Sequence, residues 1–458
     1  MSIQITYDTT GPGFPPAEWF IKLADSTAAT RLPDQIRVTS AIFELTPQDG
    51  DRVLAQVNIG FSDRAVLIER TAGDQTQVIS GVELEAVDAS PELTTYLDRV
   101  VTGRSSNDTL SVAVIGYGPY GGMGYTHGLA CAETEGLEFV AAVDTSDERR
   151  KAAESNFPDV RTYAGLSEML DDGGIDLAIV ATPPVHHAPI AKELLGHGIH
   201  AVVEKPMCLT VQDANQLVSM ANERNLLVTV HQSRRWDRDY LALRSVVQSG
   251  EIGEVFNIET FVGGFDHPCR AWHSEESISG GAIYDWGSHH VDWIIQLTGS
   301  MPTTIRCVGH KRVWHDTTNL DQLSLHMMWP DGREATFRQS DIAAIRRPKF
   351  YVQGEAGTLA GHYRPLVTER LEPGRGFVRE ETHHAEAPVD LEVRRIDGST
   401  TVIEPADHPG WVFHANLADH LLLGEPLAVT PESTRDVVRV LEAGHRSAAE
   451  GGSVISLD

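Results

Sequence analysis

Residues 111–124 read SVAVIGYGPYGGMG. A short apolar run enters a glycine cluster, and the stretch that follows, YTHGLACAETE, has helical character. Strand, glycine-rich turn and helix in this order open a dinucleotide-binding βαβ unit. Glycines allow the tight turn and let backbone N–H groups approach a pyrophosphate, whose charge the helix N-terminus favours. Gly116 and Gly118 take the first two positions, and either Gly121 or Gly124 the third, because the loop is longer than usual. Tyr120 lies within the same loop and joins these glycines as a candidate cofactor contact.

The pattern continues outward. EFVAAVD, DLAIVAT, IHAVVE and LLVTV are short apolar strands, separated by the helical stretches SDERRKAAES, HAPIAKELLGHG and VQDANQLVSMANERN. Strands buried on both faces and alternating with helices predict a Rossmann-type parallel sheet over residues 109–232, an α/β domain. Asp144 ends the second strand, where a carboxylate can accept hydrogen bonds from the adenosine ribose and repel the 2′-phosphate of NADP. Asp144 or Ser146 can equally cap the helix at SDERR. NAD is therefore favoured, and Arg149 and Arg150 leave NADP open.

Beyond residue 232 the texture changes to helices interspersed with alternating strands, among them LSLHMMW, EATFRQS and KFYVQG, before two closing helices. This predicts an α+β domain over 233–458, with a largely antiparallel sheet carrying helices on one face. Residues 1–108 hold β-branched runs such as RVLAQVNIGF and RAVLIER and a helical candidate, PELTTYLDRVV. They form a β-rich N-terminal extension of unassigned role.

Composition narrows the partners. The 458 residues carry a net charge of −28, spread along the chain, which argues against nucleic acid or an anionic membrane. Four dispersed cysteines form no C-x-x-C pair, so a disulfide framework is not expected and a reducing compartment fits. The 20 histidines show no H-E-x-x-H or comparable spacing, so no metal is expected. The start MSIQITYDTT lacks signal-peptide features, and no apolar run approaches the roughly 20 residues of a membrane span. A cytoplasmic location is the expectation.

Residues 199–206, IHAVVEKP, end a buried strand in Glu204, Lys205 and Pro206 at the carboxyl edge of the sheet, where ligand clefts form. Downstream, GGAIYDWGSHHVD sets Asp285 and His289 four residues apart, on one face of a predicted helix. An aspartate there can fix the histidine tautomer, or the two can be a surface pair. His290 points about 100° away around the helix and is read as structural.

In this order VAVIGYG, the spaced His127, ATPPVHH, VVEKP and GGAIYDWGSHHVD resemble the GFO/IDH/MocA family, named for glucose–fructose oxidoreductase and inositol dehydrogenase. The resemblance spans about residues 110–458 and leaves 1–108 unmatched. It implies hydride transfer between NAD(P) and a secondary hydroxyl of a sugar, cyclitol or sugar derivative. It implies Lys205 as partner of the reacting oxygen, His289 as general acid or base, and Asp285 orienting His289 or binding a substrate hydroxyl. Thr182, Pro183, His187 and Glu204 are implied near the cofactor, His187 being equally a helix-start residue. Gln232, Arg234, Arg235 and Asp237 follow the last sheet strand, and with Trp236, Trp272 and Trp286 they are candidates for the substrate. Core packing and salt bridges are the alternative for each. A homodimer or homotetramer is implied. Two other readings stay open: an NAD-dependent glycosidase or lyase acting by transient oxidation and elimination, and a dinucleotide-binding regulatory sensor.

Overall fold

A computed structural model describes residues 4–15, 19–23, 35–38, 42–48, 51–59, 62–72, 75–81, 109–118, 122–269, 271–372, 376–382, 387, 389–405 and 410–457. The helix expected from PELTTYLDRVV lies outside these residues. The chain divides into two compact units, one of residues 1–109 with 134–137 and 415–426, the other of the remainder.

In the first unit the strands are β1 (Gln4–Tyr7), β2 (Gly13–Phe14), β3 (Trp19–Leu23), β4 (Gln35–Val38), β5 (Ile42–Phe43), β6 (Arg52–Ile59), β7 (Ser62–Ala72) and β8 (Gln75–Ser80). Six of them form a sheet in the order β1-β8-β7-β6-β3-β4, in which only β1 and β8 run parallel. Leu54, Val57, Leu67 and Ile68 are buried in it. Among its described residues the extension is β-rich, as its β-branched runs predict.

The second unit opens with β9 (Leu110–Ile115), α1 (Met123–Glu133), β10 (Leu137–Val143), α2 (Asp147–Asn156), β11 (Arg161–Tyr163) and α3 (Leu166–Asp172). It continues with β12 (Leu177–Val180), α4 (His187–Gly196), β13 (His200–Val203), α5 (Val211–Arg224) and β14 (Val228–Val230). The sheet order is β11-β10-β9-β12-β13-β14, with parallel pairing. Strand order reverses between β9 and β12, and ligands of such sheets bind in the crevice at the strands' carboxyl ends there. All of Val112–Ile115 and Leu177–Val180 are buried, which is why these strands read as unbroken apolar runs. Local chemistry sets the helix ends. The Thr210 hydroxyl accepts from Asp213 N at 3.1 Å to start α5, and Asn225, at φ 54°, stops it in the left-handed region.

The following elements are α6 (Arg238–Gln248), β15 (Val255–Gly263), α7 (Glu276–Ser279), α8 (Ala282–Asp285) and α9 (Gly287–Thr298). Then come β16 (Thr304–His310), β17 (Gln322–Met328), β18 (Glu334–Ser340), β19 (Phe350–Gly354), β20 (Gly357–Tyr363), β21 (Leu366–Glu372), β22 (Gly376–Thr382), β23 (Val389–Arg395) and β24 (Thr400–Ile403). The chain closes on α10 (Val412–Leu423), α11 (Pro431–Ala449) and β25 (Val454–Ser456). Nine strands order as β24-β23-β20-β19-β15-β18-β17-β16-β25, antiparallel except for β15 beside β18. Along β17, Leu323, Leu325 and Met327 alternate inward against Phe337 of β18. Helices α6, α9 and α11 cover this face with Tyr240, Trp293 and Leu441, the first two rings stacked at 5.3 Å. Gly287, where the sequence allows a ligand or backbone to come close, is approached by Leu441 and Phe337, whose atoms would stand 3.0 and 3.3 Å from a Cβ.

Two devices join this sheet domain to the Rossmann domain. Helix α11 sends Val437, Val440 and Leu441 into the sheet-domain core and Val438 into the Rossmann core. Arg235, just after β14, makes a bidentate pair with Asp292 of α9, at 2.8 and 2.6 Å, and also donates to Ala428 O and Ser433 Oγ. Both side chains are buried, at 8% and 2% exposure. Removing one member of such a pair leaves a charge in low dielectric, so Arg235→Ala should cost about 3–5 kcal/mol. A urea titration followed by circular dichroism measures it. A midpoint within error of the parent would show that the pair does not hold the domains.

Candidate active site

The glycine loop is built around two close approaches. Gly116 has φ +91°, and a Cβ there would stand 2.8 Å from Ala181 O. A Cβ on Gly124 would stand 2.5 Å from Tyr117 Cα, so Gly124 is the glycine that seats α1 on the loop. Tyr120 and Gly121 lie outside the described residues. Gly118 N donates to Asp144 Oδ2 at 2.9 Å, and Asp144 Oδ1 accepts from Ser146 N at 2.8 Å. Ser146 holds the N-cap position of α2 without a side-chain bond, so Asp144 carries both the turn and the tie to the loop. Arg150 is fixed to the backbone, donating to Asp144 O at 2.8 Å.

Beyond the sheet's carboxyl edge lies a cavity of about 430 Å³. Thr182, Glu204 and Lys205 reach it from the sheet, and Arg234, Trp272, Asp285, Trp286 and His289 from the following segments. A larger depression of about 740 Å³, around Phe256 and Arg333, contains none of the sequence candidates.

Lys205 and Asp285, 80 residues apart, meet with Nζ 2.6 Å from Oδ1, and Nζ also reaches Asp285 O at 3.3 Å. The Lys205–Pro206 peptide is cis. Burial favours the neutral acid at Asp285, but Lys205, then His273 and Arg234, hold its carboxyl below the ordinary value. His289 is pushed well below the usual imidazole range by burial first and by Lys205 and Arg234 next, so it is uncharged. Its Nδ1 is buried with no hydrogen-bond partner among the described residues. Asp285 thus pairs with the lysine, and among the described residues no hydrogen bond ties it to His289. His290 is buried against Phe337, with stacked ring centroids 4.8 Å apart.

Glu204 sits beneath Lys205. Its Oε1 accepts from His231 Nδ1 at 2.7 Å and His127 Nε2 at 3.0 Å, and its Oε2 from Lys205 N at 3.1 Å. Burial raises the Glu204 carboxyl, and His231 and His127 outweigh it, leaving the group well below its ordinary value. His127 Nδ1 lies 3.0 Å from His414 Nε2 at the start of α10. The three imidazoles bring ring nitrogens within 4.8 Å of one another. Sequence reasoning named Glu204 and noted His127 but passed over His231 and His414. His231 follows β14 directly and could have been found by the strand-end rule that found Lys205; His414 carries no local signal.

Pro183, His187, Arg235 and Trp236 do not line the cavity. His187 is buried, 2.7 Å from both Thr182 O and Pro206 O, where it braces the two loops that flank the cavity. A neutral imidazole has one N–H, so it donates to one of these carbonyls at a time. Pro183 precedes the short turn of residues 184–186. Trp236 packs edge-on against Phe413. Arg235 is taken up by Asp292. Arg234 lies 4.8 Å over the Trp286 ring, and Trp272 stacks on His273.

Residues 110–232 match the GFO/IDH/MocA oxidoreductase family's NAD-binding Rossmann fold, and residues 240–360 match the GFO/IDH/MocA C-terminal domain. Together the matches span more than half of the chain. Scyllo-inositol 2-dehydrogenase (NADP(+)) IolW of Bacillus subtilis is 25% identical over 362 residues, 78% of this chain and 98% of that protein. The 2,7-anhydro-N-acetylneuraminate hydratase of Mediterraneibacter gnavus is 26% identical over 260 residues, 55% of this chain and 67% of that protein. An NAD-binding protein from Listeria innocua shares the fold, with a TM-score of 0.64 at 23% identity, covering 76% of this chain and 97% of the other. Among the described residues no helix is long and apolar enough to cross a membrane.

The buried histidines make the fold acid-sensitive. His127, His289, His290 and His414 all have folded values below the free imidazole value, with burial the first cause in each. The unfolded chain therefore binds more protons as the pH falls through about 6.5, and their stabilisation, complete above it, is lost below it. The urea midpoint should be level from about pH 7 to 8 and fall steadily toward about pH 5. Replacing His290 with Phe should flatten that slope; an unchanged slope in this variant would remove His290 from the account.

Proposed function

The chain belongs to the GFO/IDH/MocA oxidoreductase family, and from that premise we propose that it moves a hydride between NAD and a secondary hydroxyl carbon of a sugar, cyclitol or sugar derivative. The observation that carries this reading is the Lys205–Asp285 contact beside an uncharged His289 on one cavity.

An alcohol that gives up a hydride must also give up its hydroxyl proton, and its oxygen takes on alkoxide character on the way. The Lys205 ammonium, held by Asp285 in the cavity, meets that charge. His289, kept neutral, has a lone pair for the proton. Asp285 holds Lys205 in place and offsets its charge, a role distinct from fixing the His289 tautomer. Gly116, Gly118 and Gly124 offer a close backbone approach to a pyrophosphate, and Asp144 suits the adenosine ribose. When bound, the nicotinamide supplies the hydride acceptor or donor. Glu204 and His187 support the loops on which Lys205 and Thr182 sit. Arg234 and the faces of Trp272 and Trp286 suit a polyhydroxylated ring with one apolar face.

The inositol dehydrogenase relative makes cyclitols the first class to try. The hydratase relative favours a second reading, in which transient oxidation enables elimination and water addition without net NADH.

A panel of cyclitols, sugars, polyols and glycosides with NAD and NADP, followed by NADH fluorescence and product mass together, tests both readings. Lys205→Met should still bind NADH and lose about 10³-fold in turnover. Undiminished turnover in this variant, or no chemistry across the panel, ends the proposal. Asp144→Ser, which removes the carboxylate facing a 2′-phosphate, should raise NADP use relative to NAD by about tenfold. An unchanged ratio in steady-state assays would take Asp144 out of cofactor choice.

A further inference from the structure

His231 has a neighbourhood that hydride transfer alone does not require. A carboxylate only accepts hydrogen bonds, so both imidazole nitrogens facing Glu204 Oε1 carry protons: Nδ1 of His231 and Nε2 of His127. His127 then has its lone pair at Nδ1, which accepts from His414 Nε2 at 3.0 Å. The remaining nitrogen of His231, Nε2, lies on the side of the ring away from Glu204, and in the neutral imidazole it carries the lone pair. His231 lines the same cavity as Lys205 and His289. Its ring is 8% exposed and wedged edge-on between Phe413 and His127, with centroids at 4.8 and 4.6 Å, so it cannot turn over without breaking the Glu204 bond. A carboxylate behind a neutral imidazole that lines a cavity is the arrangement that makes histidine a directed base.

We propose that Glu204 and His231 form a carboxylate–imidazole dyad offering the cavity a second general base, and that this base removes the proton from the carbon next to the one that is oxidised. The proposal rests on the hydride-transfer reading above. It fits glycosides and anhydro sugars, in which a leaving oxygen lies one carbon beyond that C–H.

The steps balance. The carbinol carbon loses a hydride to NAD⁺ and its hydroxyl proton to His289, giving a ketone beside Lys205. His289 is then occupied, so the acidified neighbouring C–H needs another acceptor, His231 Nε2. The freed electron pair forms C=C while the C–O bond to the leaving group breaks, and the departing oxygen takes the proton held by His289. Water adds to the carbon that lost the leaving group, giving a proton to His289, and His231 returns its proton to the neighbouring carbon. The hydride and the His289 proton then restore the alcohol. One water is consumed and NAD⁺ is unchanged. Glu204, His127 and His414 are positioning residues in this scheme.

Two measurements test it. The first needs no substrate: ¹⁵N-histidine NMR of the full chain loaded with NAD⁺, with His231→Asn identifying the resonance. The His231 proton should sit on Nδ1, and Glu204→Gln should weaken that preference. A proton fixed on Nε2, or stoichiometric zinc held by the three imidazoles and released by EDTA, would overturn the dyad. The second incubates the NAD⁺-loaded protein in D₂O with scyllo-inositol and with methyl glycosides. Deuterium should enter beside the oxidised carbon, and in His231→Asn, whose amide can still donate to Glu204, this exchange should fall at least about 30-fold more than hydride transfer does. Equal losses of both, or undiminished exchange, would refute the assignment. A parent protein that transfers no hydride to any probe counts against the proposed function, and the tautomer still decides the dyad.

Discussion

The Glu204 carboxylate is the constraint around which the site is arranged. A charge taken out of water must find donors or give up its charge. Glu204 finds three, and they come from different parts of the chain: His127 on α1, His231 after β14, and the backbone of Lys205 itself. Satisfying one buried group therefore pins the nucleotide-side helix, the end of the sixth sheet strand and the loop that carries Lys205. The lysine that follows is left to face the cavity and finds its counter-charge in the next domain, at Asp285.

That meeting also explains why the Asp285–His289 spacing misleads. Four residues apart on a helix implies a side-chain pair, but the helix is divided at Trp286, and a charge-assisted bond to a lysine 80 residues away is stronger than a contact to a neutral imidazole. With Asp285 engaged by Lys205, burial first and then Lys205 and Arg234 outweigh the pull of Glu204 and keep His289 neutral. The lysine's capture of Asp285 and the availability of His289 as a base are one arrangement seen from two sides.

Legibility in the sequence followed locality. The parallel sheet could be read because strands buried on both faces leave unbroken apolar runs, and the antiparallel one because strands such as β17 alternate. Lys205 could be read because it ends a buried strand. Arg234 and Arg235 could not be separated: adjacent in a single short turn, they point apart, one to the cavity and one into Asp292, and composition does not record side-chain direction. Nor could His414 be foreseen, since it meets His127 across 287 residues and only the packed fold brings them together.

Charge balance connects the cavity to the chain that holds it. A net charge of −28 does little for hydride transfer, because surface carboxylates are screened within about 10 Å at ordinary salt. The balance that matters is local. Lys205 and Arg234 face Asp285 and Glu204, two cations against two carboxylates, so an oxidised nicotinamide can approach without meeting an uncompensated lysine. In the proposed reaction, hydride transfer to a bound nicotinamide would cancel that ring's positive charge as the alcohol gave up its proton. The change in charge would then fall on His289, which burial keeps neutral. A site with one such imidazole can complete an oxidation. One in which a second imidazole is held ready by a carboxylate has somewhere to put a further proton, and that difference separates a dehydrogenase from an enzyme that uses oxidation to break a bond.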